Sequence, residues 1–287
     1  MTKTQNNQII LSYQEEIKNK IKTSLELKGW VYGKDYHEED LITIGKYLKA
    51  KKETPFGYQL ILKKKSYMQM FYKETDQIIF YHFQNKLQKI HSLFNQSLNL
   101  EKLKTMNIAN FTNNKIIKKY WNYFESEQTK PSLYLYGDFN TGKTFFFKLI
   151  MQYFLKEKKD FLFLFLPDLP RQFKPGWFDE ELNNKMDHLR NIPYLFLDDL
   201  GAENLSIYFR DDILYPLLNA RQEKGLITFI SSNLNPSQLS EHLKITNDNN
   251  QILKALRIIN KLKKMCQFYN LDLTHNNLNQ SQKGVLK

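Results

Sequence analysis

The chain has 287 residues, 41% of them hydrophobic and 14% aromatic, enough to bury a core in two domains and too apolar for a disordered chain. Lys and Arg number 42 against 30 acids, a net charge of +12 with a pI near 9.4, which favours polyanionic partners, nucleic acid before acidic membrane. The single cysteine, Cys266, rules out an intrachain disulfide framework and a cysteine-based zinc site, and suits a reducing cytosol.

The amino terminus, MTKTQNNQII, is polar and lacks the apolar core of a signal peptide. The longest purely apolar run, FLFLFL at 161–166, is too short to cross a bilayer, so a soluble cytoplasmic protein with no membrane partner is expected. Residues 9–29 have apolar positions at helical spacing with Gly29 as a stop, and 41–50 read as a second helix. Two runs rich in Tyr, Ile, Phe and Met flank KKKS within 57–75 and predict a β-hairpin. Residues 79–94 return to a helical pattern. Residues 1–100 thus form a small α+β module with 16 Lys against 10 acids, a charge of +6. A polar segment at about 95–115 is the expected linker, and 101–287 the second domain.

From 116 the pattern changes. A helix (KIIKKYWNYFESE) precedes a strand, SLYLYG, a loop and another helix. Three apolar runs of buried-strand length follow: FLFLFLP, PYLFLDD and ITFISSN. A final strand is CQFYNLDL. Strands alternating with helices predict a five-stranded parallel sheet covered on both faces, an α/β fold.

The loop after SLYLYG reads GDFNTGKT, Gly-x-x-x-x-Gly-Lys-Thr between a strand and a helix. Such a loop cradles phosphate on backbone amides at a helix N-terminus. Gly137, Asn140, Thr141, Gly142, Lys143 and Thr144 are the candidate nucleotide-binding residues; Lys143 would reach the β- and γ-phosphates and Thr144 would ligate Mg²⁺. In YLFLDDLGAE, Asp198 at a strand end is the second candidate Mg²⁺ ligand. Asp199 would orient or polarise the attacking water, or else cap the strand. That second acid marks P-loop ATPases with an additional strand between the P-loop strand and the Asp198 strand, and FLFLFLP is the run expected to supply it. Asn233, ending ITFISSN, matches the place where AAA+ ATPases keep a sensor of the γ-phosphate, with Ser231 and Ser232 as alternatives. In QILKALRIINKLKKM, Leu253, Leu256, Ile259 and Leu262 form an apolar stripe and Arg257 lies off it. Arg257 resembles the arginine that AAA+ assemblies carry on this helix to reach a neighbouring subunit's nucleotide, the alternative being a solvated or DNA-facing cation. Only five arginines occur (Arg171, Arg190, Arg210, Arg221 and Arg257), so positions that kept Arg in a Lys-rich chain are expected to need a planar, multiply donating cation.

Taken with FRDDILYPLLNARQEKG, these strings make the chain from about 105 to 275 resemble the ATPase domain of bacterial replicative helicase loaders, the DnaI/DnaC-type AAA+ proteins. The string DDLGAE looks most like the DnaI branch, and the hairpin resembles the DnaI helicase-binding module. The resemblance implies a P-loop AAA+ (ASCE) core after a small α+β domain. It implies ATP and Mg²⁺ as cofactors, catalytic roles for Asp199, Asn233 and Arg257, and ATP-dependent placement of a hexameric replicative helicase on single-stranded DNA. It also implies self-association on the helicase. Three departures stand out. Residues 1–100 contain no Cys for the zinc such modules hold, and His37, His82 and His91 are poorly spaced to replace it. Either packing of aromatics such as Tyr58, Phe71 and Tyr72 holds the module, or the likeness stops short of it. The tail THNNLNQSQKGVLK has no Arg, and the finger helix carries Lys261 as its second cation. No full helical lid is expected, so turnover without partners should be slow. An IstB-like transposition helper or an ATP-gated regulator of the helicase are the alternatives. Arg171, Lys174 and Arg210 are DNA-contact candidates by charge alone.

Overall fold

The computed structural model describes residues 3–64, 66–106, 118, 120–122, 124, 132–173 and 180–271. The chain divides into two compact units, 1–83 and 84–287. The division falls inside a helix, whereas the change of composition had put the boundary near 100. Its physical basis is the burial of His91 and Phe94 with the second unit's sheet residues.

The first unit opens with helix α1 (Lys3–Thr23), which stops six residues before Gly29 because the chain turns at Ser24 to tuck Leu27 into the core. Helix α2 (Leu41–Ala50) has the predicted bounds. Strands β1 (Tyr58–Lys64) and β2 (Met68–Glu74) form the predicted antiparallel hairpin, with Tyr58 opposite Glu74 and Lys64 opposite Met68. Helix α3 (Asp76–Ser92) follows. Aromatic packing by Tyr58, Phe71 and Tyr72 is not what holds this unit: all three are exposed, because strand alternation turns only Leu60 and Met68 fully inward. The core is Ile17, Ile21, Leu27, Tyr36, Leu41, Ile44, Tyr47, Leu60 and Met68. A buried carboxylate adds a cross-link. Asp40 accepts from the His37 N–H at 2.8 Å and from Lys64 Nζ of β1 at 2.6 Å. Burial opposes its charge, but these bonds outweigh burial and hold the carboxyl below its usual range.

The second unit contains α4 (Leu100–Lys104), β3 (Ser132–Tyr136), α5 (Lys143–Lys156), β4 (Phe161–Phe165), α6 (Glu180–Asn191) and β5 (Tyr194–Asp198). A π-helical turn, Phe209–Leu214, leads into α7 (Tyr215–Glu223). Then come β6 (Ile227–Ser232), α8 (Pro236–Lys244), α9 (Asn249–Met265) and β7 (Cys266–Asn270). The expected helix at 115–127 and the tail at 272–287 fall largely or wholly outside the described residues.

The five strands are all parallel, in the order β4-β5-β6-β3-β7. This corrects one expectation. The strand between the P-loop strand β3 and the Asp198 strand β5 is β6, from ITFISS; the FLFLF run is β4, at the sheet edge beyond β5. Both runs are apolar enough to be buried, so composition could not rank them. One sheet face is aromatic: Phe196 stacks on Phe229 at 4.5 Å, and α5 supplies Phe147 and Phe154 against them. The opposite face packs Leu162, Leu164, Leu195, Leu197 and Ile230 with residues of α6, α7, α8 and α9.

Helix α9 buries Ala255, Ile258, Ile259 and Leu262, whereas Leu253 and Leu256 are exposed. The predicted stripe was therefore turned too far: of its four residues only Ile259 and Leu262 face the core.

Candidate nucleotide-binding site

All strands run the same way, so β3, β5 and β6 end at one edge of the sheet, where ligands of open α/β sheets bind. After β3 the chain enters the loop 137–142. Asn140 is left-handed at φ 61°, a conformation Asn tolerates, and Gly142 takes φ 93° just before α5, where a side chain would be strained. Lys143, the first residue of α5, is buried and donates to the Gly137 and Asp138 carbonyls, both at 2.7 Å. Its ammonium is thus held against the loop by neutral acceptors. Thr144 Oγ1 donates to Asp198 Oδ2 at 2.8 Å.

Asp198 is buried at the end of β5 and also accepts from Ser231 Oγ at 2.6 Å. The same Ser231 oxygen accepts the Asp199 N–H at 2.9 Å. Asn233 Nδ2 donates to Asp199 Oδ1 at 2.8 Å. Burial raises the Asp199 pKa above its ordinary value, and so do the charges of Asp198 and Glu203, while Lys143 works the other way. These side chains line one cavity of about 380 Å³, together with Asn140, Gly142, Phe139, Phe145 and Phe165.

The structure therefore brings together Asn140, Gly142, Lys143, Thr144, Asp198, Asp199 and Asn233, with Gly137 and Thr141 in the loop that forms the wall. Thr141 Oγ1 donates to the Asp138 carbonyl at 2.9 Å. Sequence reading offered Ser231 only as an alternative to Asn233; the structure uses both, one on each acid. The aromatic lining by Phe139, Phe145 and Phe165 carried no sequence signal, since such residues abound in the chain.

Arg257 lies elsewhere. It lines a separate pocket of about 170 Å³ with Asp211, Tyr215, Lys254 and Ile258. Lys261 donates to Asn219 Oδ1 and lies over the Tyr215 ring, 5.7 Å from its centroid. Arg210 is not available to DNA: it is 0% exposed, forks onto the Asp211 carboxylate and donates to the Leu243 carbonyl at 2.8 Å. Arg171 is exposed, and Lys174 lies outside the described residues. Among the described residues no three His, Cys, Asp or Glu side chains converge to hold a metal, and no helix is long and apolar enough to cross a membrane.

The residues present fit Mg-ATP. Thr144 and Asp198 form an all-oxygen donor pair of the kind Mg²⁺ takes, and the loop precedes a helix N-terminus beside a buried lysine.

A parallel sheet with β6 inserted between β3 and β5, a P-loop after β3, an acid pair after β5 and Asn233 after β6 defines the fold of a P-loop AAA+ ATPase core, preceded here by a small α+β unit. Comparison with known proteins gives the particular likeness. Over 131 residues, 45% of this chain, it is 31% identical to the replicative helicase loader DnaI of Bacillus subtilis (strain 168). The match spans 42% of that protein's length, less than half. A crystal structure of DnaI aligns with a TM-score of 0.53 at 29% identity, covering 59% of this chain and 93% of that one. A crystal structure of the DnaC helicase loader aligns with a TM-score of 0.35 at 21% identity, covering 53% and 86%. No family model matches the chain. The likeness to DnaI/DnaC-type loaders read from the motifs is thus found again in both comparisons with DnaI.

Proposed function

We propose that this protein is an ATP-dependent loader that places a hexameric replicative helicase on single-stranded DNA in replication initiation or restart. The observation that carries the reading is the convergence of Lys143, Thr144, Asp198, Asp199 and Asn233 in one cavity of a chain 31% identical to DnaI over 131 residues. Mg-ATP supplies the phosphoanhydride bond that is cleaved. Lys143, now bonded to loop carbonyls, would hold phosphate oxygens, and Thr144 and Asp198 would hold Mg²⁺, which would neutralise phosphate charge. Asp199, with its raised proton affinity, orients the attacking water and accepts its proton. Asn233 keeps the Asp199 carboxylate aimed. Arg257, exposed beside a pocket that does not include the Lys143 and Asp198 side chains, serves the nucleotide of a neighbouring copy on the helicase. The N-terminal unit is the helicase-binding module, and the net charge of +12 supports contact with DNA phosphates in the cytoplasm.

The test is size exclusion of the full chain with the replicative hexamer from the same cell, with Mg-ATP. Comigration is expected, together with ATP binding that Lys143→Ala abolishes. Failure to comigrate, with ATP binding intact, would redirect the reading to an IstB-like transposition helper. Comigration without measurable turnover would make it an ATP-gated regulator.

A further inference from the structure

Asp199 sits at φ 67°, a left-handed conformation uncommon for a residue with a side chain. Such a backbone persists only where its surroundings over-determine it. Part of the determination comes from β6. Ser231 Oγ accepts the Asp199 N–H, the Ser231 carbonyl accepts the Leu200 N–H at 2.8 Å, and Ser232 Oγ donates to the Leu200 carbonyl at 2.5 Å. The far side of the turn is held differently. Its apex is Gly201, at φ 94°, where a Cβ would come within 2.7 Å of Leu234 Cδ1. The Gly201 N–H donates to Glu203 Oε2 at 2.6 Å.

Glu203 has a fully buried side chain, and its other oxygen, Oε1, lies 3.2 Å from His242 Nε2 on α8. A buried carboxylate is costly unless it is bonded on both sides, and this one is. Packing alone would be served as well by an apolar side chain. What the carboxylate does here, and an apolar group could not, is bind the apex amide and tie the turn to α8.

We propose that Glu203 is a positioning residue for Asp199. It clamps the turn after β5 through the Gly201 N–H, with His242 as its partner, so that the Asp199 carboxylate meets Asn233 and faces the cavity. The inference rests on the reading of this cavity as an ATP-hydrolysing site.

The experiment compares the full-length wild type with E203A, E203Q and H242Q. ATP affinity is measured by calorimetry with ATP in EDTA, and phosphate release with Mg-ATP, with and without single-stranded DNA. E203A is expected to lower kcat by roughly 10–100-fold, the scale of a misplaced catalytic group, while ATP Kd stays within about two-fold. E203Q should recover most of that loss, since its amide oxygen still accepts the Gly201 N–H. H242Q should fall between wild type and E203A. A merely structural role would lower melting temperature without separating kcat from Kd. Wild-type kcat in E203A, or a loss of kcat matched by an equal loss of affinity, overturns the proposal. If E203A does not fold, E203Q and H242Q decide it: equal departures of kcat and Kd in both overturn it, and a kcat-only loss in H242Q supports it. A wild type that binds ATP without turnover overturns both the clamp and the hydrolytic reading. A wild type that binds no ATP removes the nucleotide site itself.

Discussion

Lowering the pH should weaken one buried contact at the sheet edge. His91, near the end of α3, is 1% exposed. Its Nδ1 lies 2.8 Å from the Leu87 carbonyl, which can only accept, so Nδ1 carries the proton. Its Nε2 then accepts the Phe163 N–H of β4 at 3.0 Å. That amide belongs to an edge strand and would otherwise be an unpaired donor. Both ring nitrogens are thus used in the neutral form, and burial pulls the pKa from 6.5 down to about 4. Between those values the unfolded chain binds the proton and the folded chain does not. The contribution of His91 is therefore complete above pH 6.5 and is lost as pH falls toward 4. Its limit is about 3 kcal/mol, of which about 2 kcal/mol is gone by pH 5. Urea denaturation of wild type and H91Q at pH 7.5 and pH 5.0 measures it. Gln does not titrate, so the wild type should lose about 2 kcal/mol more than H91Q over that interval, other titrating groups cancelling in the difference. Equal losses in the two proteins would refute the burial argument.

Three further outcomes are expected. Arg221 is 0% exposed and donates to the carbonyls of Leu189, Ile192, Pro193 and Ile227 and to Thr228 Oγ1, all neutral acceptors. Arg221→Met should cost about 3–5 kcal/mol in urea and Arg221→Lys most of that, because an ammonium cannot reach the same acceptors. Asn233→Ala frees the Asp199 carboxylate; ATP hydrolysis should drop about 10–100-fold with ATP affinity nearly unchanged, read from the same calorimetric and phosphate-release assays. Arg257→Ala should bind ATP like wild type as a monomer, yet lose about 10³-fold in turnover within assembled complexes; weakened ATP binding by the isolated chain would exclude the finger role.

Much of the second unit was legible because its signals are local. A P-loop needs glycine and Lys-Thr at fixed offsets between a strand and a helix, and Asp198, Asp199 and Asn233 close strands of distinctive apolarity. Parallel strands then bring those ends to one edge without further instruction. The idea that surviving arginines mark multidentate positions also holds for Arg210 and Arg221, each buried with several acceptors.

What the one-dimensional string could not determine is which buried run lies beside which. FLFLF and ITFIS are both apolar enough for a buried strand, and only the packed sheet sends β4 to the edge and β6 to the centre. The rotation of α9 depended on what covers it, so Leu253 and Leu256 were assigned to a core they do not enter. The cross-links by Asp40, His91 and Glu203 join residues to partners 24, 72 and 39 positions away. Periodicity and spacing report neighbours along the chain. A buried polar side chain is settled by the donor or acceptor that folding happens to bring to it, and that is a property of the tertiary structure alone.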